Sequence, residues 1–372
     1  MSPKQFVHLS NVYYLNEVGN LNNQGEVKLT ADQAASGELC YMLNLPHDDT
    51  QWYQQLGVDA YPVPFKKEGA RVYAKADVNC SGRYEGTTEF TNEPQTKPAH
   101  TFVNGICTQC AAIQFDYKTP ATDGFYELSS AEDLVWFSAL SYHGYFEYAK
   151  VRLTADIDMS GVTDFRPIAG CDEGFRFRGT FDGQFHTISN LVVELGNNFV
   201  GLFGTIGDGA DIKNFRLDNT CKLSGAKNVG LVGGIRGPGA VSLTNLGNEG
   251  EVIATTSAAG AILGCTEGSF AVPTLDHCYS TGRLNGTLES AALSGWLKNG
   301  SIKNSWSIAE IVGFEDAANK HAALGRNDKG SIINSYTFYD GQGTLIEDSA
   351  MIGSGELCFL INEGEKANGW YQ

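Results

Sequence analysis

The chain has 372 residues, too many for one small core, so it holds two or more domains or one elongated repeat fold. Its 43 acidic residues outnumber 26 basic ones to give a net charge of −17, and no basic face accumulates, which argues against nucleic acid as a partner. No apolar run reaches the roughly 18 residues of a membrane span, the opening MSPKQFVHLS lacks the basic-then-apolar order of a signal peptide, and 44 glycines between short apolar runs predict many short strands and tight turns.

The first readable stretch, LSNVYYLNEVG, carries Asn11 in a pattern that recurs throughout the second half. Next comes SGELCYMLNLPHDDTQWYQ, Ser36 to Gln54, which returns as SGELCFLINEGEKANGWYQ at Ser354 to Gln372. Cysteine and tryptophan are twelve residues apart in both copies, Cys40 to Trp52 and Cys358 to Trp370. In QLGVDAYPVPF, Pro62 and Pro64 predict an extended edge segment.

Residues 80–110 hold the constellation with the clearest chemistry: Cys80, His100, Cys107 and Cys110. The ending C-T-Q-C has the spacing that lets two thiolates grip one ion, and Asn104-Gly105 offers the tight turn of such a knuckle. Cys80 and His100 would complete a tetrahedral structural zinc site in a segment with little apolar content to hold it. The alternatives are a disulfide, most naturally Cys80 with one of the pair, or reduced thiols. A redox C-x-x-C is disfavoured, since no helix pattern follows Cys107 to lower its pKa. The other cysteines, at 40, 171, 221, 265, 278 and 358, read as small buried hydrophobes.

The stretch SSAEDLVWFSALSYHG predicts a helix that covers the open end of a sheet structure. Ser129 and Glu132 have capping-box spacing, Leu134, Phe137 and Leu140 share one face, and His143-Gly144 closes it. The strands VRLTADIDM and FRPIAG follow, then FRGTFDGQFHTISNL with a hairpin-like turn signal at Asp182-Gly183.

From about residue 185 one string recurs, as TISNL, DIKNF, SLTNL, TLDHC, SIKNS and SIINS, ending at 191, 215, 246, 278, 305 and 335. Asparagine stands fourth at 190, 214, 245, 304 and 334, and His277 replaces it once. A second string of small residues, VGLFG, VGLVG, GAILG, AALSG and AALG, alternates with the first. Two markers sharing a period near 30 residues, with no room for a helix, predict one coil of a parallel β-helix per period. Stacked about 4.8 Å apart, the asparagine amides would form a ladder rather than a set of ligand contacts.

The run FRGTFDGQFHTISNLVVELGNNFVGLFGTIGDGADIKNFRL resembles the GLUG-motif repeats of Bacteroidetes surface proteins, over about residues 125–340. The likeness weakens at His277-Cys278, LSGW and AALG. It implies an all-β fold, a right-handed parallel β-helix, on an exported, adhesin-like cell-surface protein; the SGELC…WYQ…DAYPVPF connector is similar to segments of the same class of protein. The expected organisation is the terminal coil of a preceding β-helix at 1–30, a small irregular α+β connector at 31–115, the β-helix with its capping helix at 116–345, and the start of a second connector at 346–372. Alternatively, the two SGELC copies pair as caps of one domain.

No G-x-S-x-G, H-E-x-x-H or Walker loop is present. Asp276-His277-Cys278 fails as a triad, because on a strand His277 would point away from both neighbours. The nearest carboxylate-arginine grouping is Asp172, Glu173, Arg176, Arg178, Asp182 and His186, while Asp156 and Asp158 read as outward or turn positions. The expectation is therefore a monomeric, non-catalytic module, extracellular on a bacterial surface, that binds a glycan or a host or bacterial surface protein. Binding would fall to loops near 196–199, 267–273 and 313–321. A carbohydrate-active β-helix enzyme and a structural spacer are the alternatives.

Overall fold

The computed structural model describes residues 12–14, 27–45, 50–171, 174–267, 270–287, 290–314, 321–327, 329–362 and 369–371. Asn11, Asp172 and Glu173, and most of the loop at 313–321, therefore lie outside the described residues. The chain divides into two compact units, Met1–Gln114 and Phe115–Gln372.

The first unit is small and irregular. A parallel pair, Tyr13–Tyr14 with Val27–Lys28, leads into helices Ala31–Ala35 and Glu38–Asn44. Thr30 caps the first helix in a full capping box with Gln33. Two antiparallel pairs follow, Tyr73–Ala74 with Phe90–Thr91 and Phe102–Val103 with Ile106–Cys107. The segment with Pro62 and Pro64 is extended, and Val63 between them exchanges backbone hydrogen bonds with Tyr53.

The second unit is a parallel β-helix. Its longest wall stacks strands Lys150–Leu153, Thr180–Ser189, Asp211–Leu217, Gly239–Asn248 and Ala271–Asp276, each parallel to the next. Wall two stacks Val192–Glu194, Lys222–Gly225, Glu251–Ala254, Arg283–Gly286 and Glu310–Ile311. Wall three stacks Phe203–Ile206, Val232–Ile235, Leu263–Thr266, Ser294–Leu297 and Gly325–Asn327. One coil advances about 30 residues, as the recurring strings require.

Register shows why the sequence coils. Val193, Leu223, Val252, Leu284 and Ile311 form one buried column, with each coil covering its neighbour's apolar face. The small-residue string marks a close backbone approach within wall three: a Cβ on Gly264 would fall 2.4 Å from the Gly233 carbonyl oxygen, and one on Gly295 2.6 Å from that of Gly264. No side chain fits at these two positions, which is why glycine occupies them.

The interior changes character along the stack. Near the capping helix it is aromatic: Phe203 lies 5.7 Å from Phe177 and 5.2 Å from Phe181, and Phe181 lies 5.5 Å from Phe215. Further on, the column that begins at the buried Leu217 turns polar, through Asn248, Ser280, Ser307 and Thr337, all buried, and Ser280 and Ser307 hydroxyls meet at 2.8 Å.

The asparagine column is real but differs from expectation in two respects. Asn214, Asn245, Asn304 and Asn334 all sit at one corner with φ between 45° and 61°, in register with His277 at 55°. Asparagine tolerates this left-handed geometry better than most residues. The ladder breaks into two runs that each begin on an aspartate. Asn245 donates to Asn214 (2.8 Å) and Asn214 to Asp182 (3.0 Å); Asn334 donates to Asn304 (2.8 Å) and Asn304 to Asp276 (3.0 Å). Asp276, beside His277, thus supplies the acceptor on which the second run begins.

Asn190 is not in this column. It stands at a later corner and donates to Asp158 at 2.8 Å. Its expected place is taken by a bulge, in which Gly183, Gln184 and Phe185 lie opposite Asn214 and the register shifts between Asp182 and His186. Asp182-Gly183 is accordingly no hairpin; strand Thr180–Ser189 runs through it.

The capping helix spans Ala131–Tyr142, with Ser130 rather than Ser129 as N-cap, accepting from the Asp133 N–H. Asp133 in turn accepts from the Ser129 N–H at 2.8 Å and pairs with Lys118 at 2.6 Å, so the cap lies one residue later than expected and the return bond goes to the residue before it. Leu134, Trp136, Phe137 and Leu140 are buried, and Phe137 meets Phe177 at 6.3 Å.

Candidate metal centre

Three turns of the first unit bring four donors together. Phe102 and Cys107 face each other across a hairpin whose turn is Asn104-Gly105, with φ of 49° and 78°. Two consecutive positive φ values define the tight turn that asparagine-glycine favours. Immediately afterwards the chain reverses: the Ala111 N–H donates to the Cys107 carbonyl at 3.0 Å and the Cys107 N–H to Ala112 at 2.8 Å. This reversal aims the N–H groups of Gln109 and Cys110 at the Cys107 sulfur. Cys80 comes on a separate turn held by the Asn79 carboxamide, which accepts from the N–H groups of Ser81 (2.9 Å) and Arg83 (3.2 Å). The His100 ring packs 5.4 Å from Phe102.

The donor atoms of Cys80, His100, Cys107 and Cys110 all lie within 4.8 Å of one another. Cys80 Sγ is 3.5 Å from Cys107 Sγ, and Cys110 Sγ is 3.3 Å from His100 Nδ1. With metal–sulfur bonds of about 2.3 Å, the edges of a zinc tetrahedron are roughly 3.7 Å long, so the cluster has the dimensions for one ion. Cys80 and Cys107 are buried; His100 and Cys110 are half-buried. All nine cysteines are free thiols here, and 3.5 Å is far from the roughly 2.05 Å of a disulfide.

The electrostatics suit a cation. Burial acts to raise the Cys107 thiol, but the N–H groups of Gln109 and Cys110, then His100 and Cys80, outweigh it and bring it down to about 5. Burial, with Cys110 and Cys107 alongside, pushes Cys80 up to about 11. A thiol lowered in this way favours the thiolate that a metal ligand requires, and a bound cation would favour ionisation of Cys80 as well. The low Cys107 value corrects a sequence expectation, since backbone N–H groups of the knuckle do what no helix here does.

Most of the other candidate residues are engaged separately, while Arg176 is held near Arg178 with its Nε buried and without a hydrogen-bond partner among the described residues. Arg178 pairs with Glu147 (3.2 Å) and Asp208 (3.4 Å), Asp182 belongs to the ladder, and His186 pairs with Asp156 (3.0 Å). Asp158 accepts from Asn190 and from the Ser160 N–H. His277, at a left-handed corner rather than on a strand, does reach Asp276, at 2.8 Å, which corrects the alternation argument. Cys278 still points inward: it is fully buried and its thiol is pushed up to about 12 by that burial. In the loop at 196–199, Phe199 is buried under the Arg236 guanidinium, 4.8 Å away, and offers no exposed contact.

Sequence reasoning did not find the charge pattern on wall two. Lys222 pairs with Glu194 (2.5 Å), and Arg283 pairs with both Glu251 (3.3 Å) and Glu310 (3.0 Å). Opposite charges recurring about one coil apart were the available signal. No helix among the described residues is long and apolar enough to cross a membrane.

No family model matches the chain. Over 197 residues it is 30 % identical to halomucin from Haloquadratum walsbyi (strain DSM 16790 / HBSQ001), a match covering 50 % of this chain and 2 % of halomucin. Among solved structures, a Bacteroides ovatus protein carrying a provisional immunoglobulin A1 protease name aligns with a TM-score of 0.46 at 18 % identity, over 66 % of this chain and 89 % of the other.

Proposed function

We propose that this chain is a non-catalytic module of a large extracellular protein on a bacterial cell surface. Its β-helix would present a rigid face to a glycan or to a host or bacterial surface protein, as in the GLUG-type proteins it resembles. The carrying observation is that outward charges are paired from coil to coil: Lys222 with Glu194, Arg283 with Glu251 and Glu310, and Arg216 with Glu249. Groups held this way reinforce stacking and are not free to serve as the acid and base that glycan cleavage needs. The likeness to halomucin, a chain far longer than the matched stretch, supports a place within a long multi-part protein. Within the first unit, Cys80, His100, Cys107 and Cys110 are read as a closed structural zinc site, with no open position for substrate.

The test is a glycan array together with a turnover screen on the same glycans, using the full chain. Binding without product formation supports the proposal. Product release from any glycan overturns the non-catalytic reading.

A further inference from the structure

The two SGELC copies fold alike and bury opposite faces. In each, a glycine in the left-handed region opens a helix, Gly37 at φ 96° and Gly355 at φ 83°. An asparagine closes each helix by clasping a tryptophan backbone: Asn44 accepts from the Trp52 N–H (2.9 Å) and donates to its carbonyl (2.9 Å), and Asn362 does the same to Trp370 (3.1 and 2.8 Å). Both copies also follow a short parallel pair. Leu29 N–H donates to the Tyr14 carbonyl at 2.9 Å, and Ile346 N–H to that of Thr337 at 2.7 Å.

In the second copy Leu357 and Ile361, one turn apart, are 3 % and 2 % exposed and pack with Tyr336 and Ile346 at the last coil. Asn334, the end of the ladder, donates to the Ile361 carbonyl at 2.6 Å. The adjoining face is bare, with Phe359 63 % and Leu360 36 % exposed.

The first copy shows the reverse. Leu39 and Leu43, the counterparts of Leu357 and Ile361, are only half-buried, while Cys40 and Gly37 are buried. A Cβ on Gly37 would fall 2.7 Å from Leu56 and 3.0 Å from Val72. Tyr41, the counterpart of Phe359, lies 5.6 Å from Phe90 and 6.1 Å from Tyr84, and its hydroxyl donates to the Gly82 carbonyl. Residues 52–93 supply this cover.

We infer that the face formed by Gly355, Cys358 and Phe359 is a docking surface for a polypeptide with the fold of residues 52–93. The helical hairpin is then a two-sided joint that grips the final coil of a β-helix through one face and a connector through the other. Each copy displays one half of that arrangement. Phe359 keeps the ring of Tyr41 and lacks the hydroxyl, so the contact is apolar at its centre. The inference does not depend on any ligand of the β-helix, and a negative glycan array leaves it intact.

Two experiments test it. In the first, residues 55–114 are repeated after Gln372, in the register of the first copy, and hydrogen exchange is compared with the parent chain. Amides of residues 356–362 are expected to exchange at least about tenfold more slowly in the extended chain, and Phe359→Asp should abolish the gain; unchanged exchange overturns the proposal. The second needs no extension: the face of the second copy is grafted onto the first as Tyr41→Phe with Met42→Leu. Amides of Tyr73–Ala74 and Phe90–Thr91 should keep their protection within about threefold, whereas Tyr41→Asp should release them. If the graft deprotects the connector as fully as Tyr41→Asp, the two faces are not equivalent and the inference fails.

Discussion

Asn304 shows what one residue contributes to the stack. It occupies the left-handed corner at φ 47°, donates to Asp276 at 3.0 Å and accepts from Asn334 at 2.8 Å. Asn304→Ala removes both bonds, although Asp276 keeps His277 and Asn334 keeps the Ile361 carbonyl, and it puts a residue that tolerates the left-handed region less well than asparagine at that corner, so we expect a loss of about 1–3 kcal/mol in urea unfolding. Asn304→Gly removes the same bonds without the strain and should cost about 1 kcal/mol less. Four of the ladder asparagines were legible because they recur near one period. Asn190 misled because TISN copies the string, although its spacing of 24 residues to the next was already too short. The bulge at 183–185 that takes its place leaves no mark in an apolar-polar pattern. The Cys-His cluster was legible from spacing alone, but the N–H groups that lower the Cys107 thiol belong to the backbone and had no side-chain signature.

Among elements, the walls differ in what fills them. Phe203 touches both Phe177 and Phe181 in the aromatic part, so Phe203→Ala should cost about 3–5 kcal/mol. Ser307 lies in the polar part, where it meets Ser280 and accepts from the Ala309 N–H; Ser307→Ala should cost about 1–2 kcal/mol. Chemical denaturation of both variants checks the contrast, and equal losses would mean that the interior is not graded as described. The capping helix was predictable in extent because its apolar face and His143-Gly144 stop are local signals. Its N-cap was not, since Ser129 and Ser130 both precede an acidic residue by three and only packing of Asp133 against Lys118 decides between them. Of the loop near 196–199, Gly196 and Asn197 are exposed as expected, whereas Phe199 turns inward.

For the molecule as a whole, the sequence carried the architecture further than the chemistry. A 30-residue period is a property of many residues together and survives local errors, whereas a binding face depends on which side chains remain uncovered. The two-sided character of the SGELC hairpin lay beyond the string, because the copies agree in sequence and differ in what covers them. At this scale the metal reading predicts about one zinc per chain by elemental analysis of protein prepared without chelator. It also predicts that chelation raises hydrogen exchange across residues 79–112, the turns that hold the cluster. Absence of metal with unchanged exchange would return the four residues to ordinary thiols.

The stacking of consecutive coils underlies both the fold and the proposed role, and cross-linking between registered outward positions tests it most directly. Lys222 stands opposite Glu251, and Glu251 opposite Arg283, which places Lys222 about 4.8 Å from the first and about 9.6 Å from the second along the stack. A bis-thiol reagent spanning about 5 Å should link Lys222→Cys to Glu251→Cys in high yield and leave Lys222→Cys with Arg283→Cys unlinked. Equal yields for the two pairs, or preferential linking of the distant one, would contradict the account.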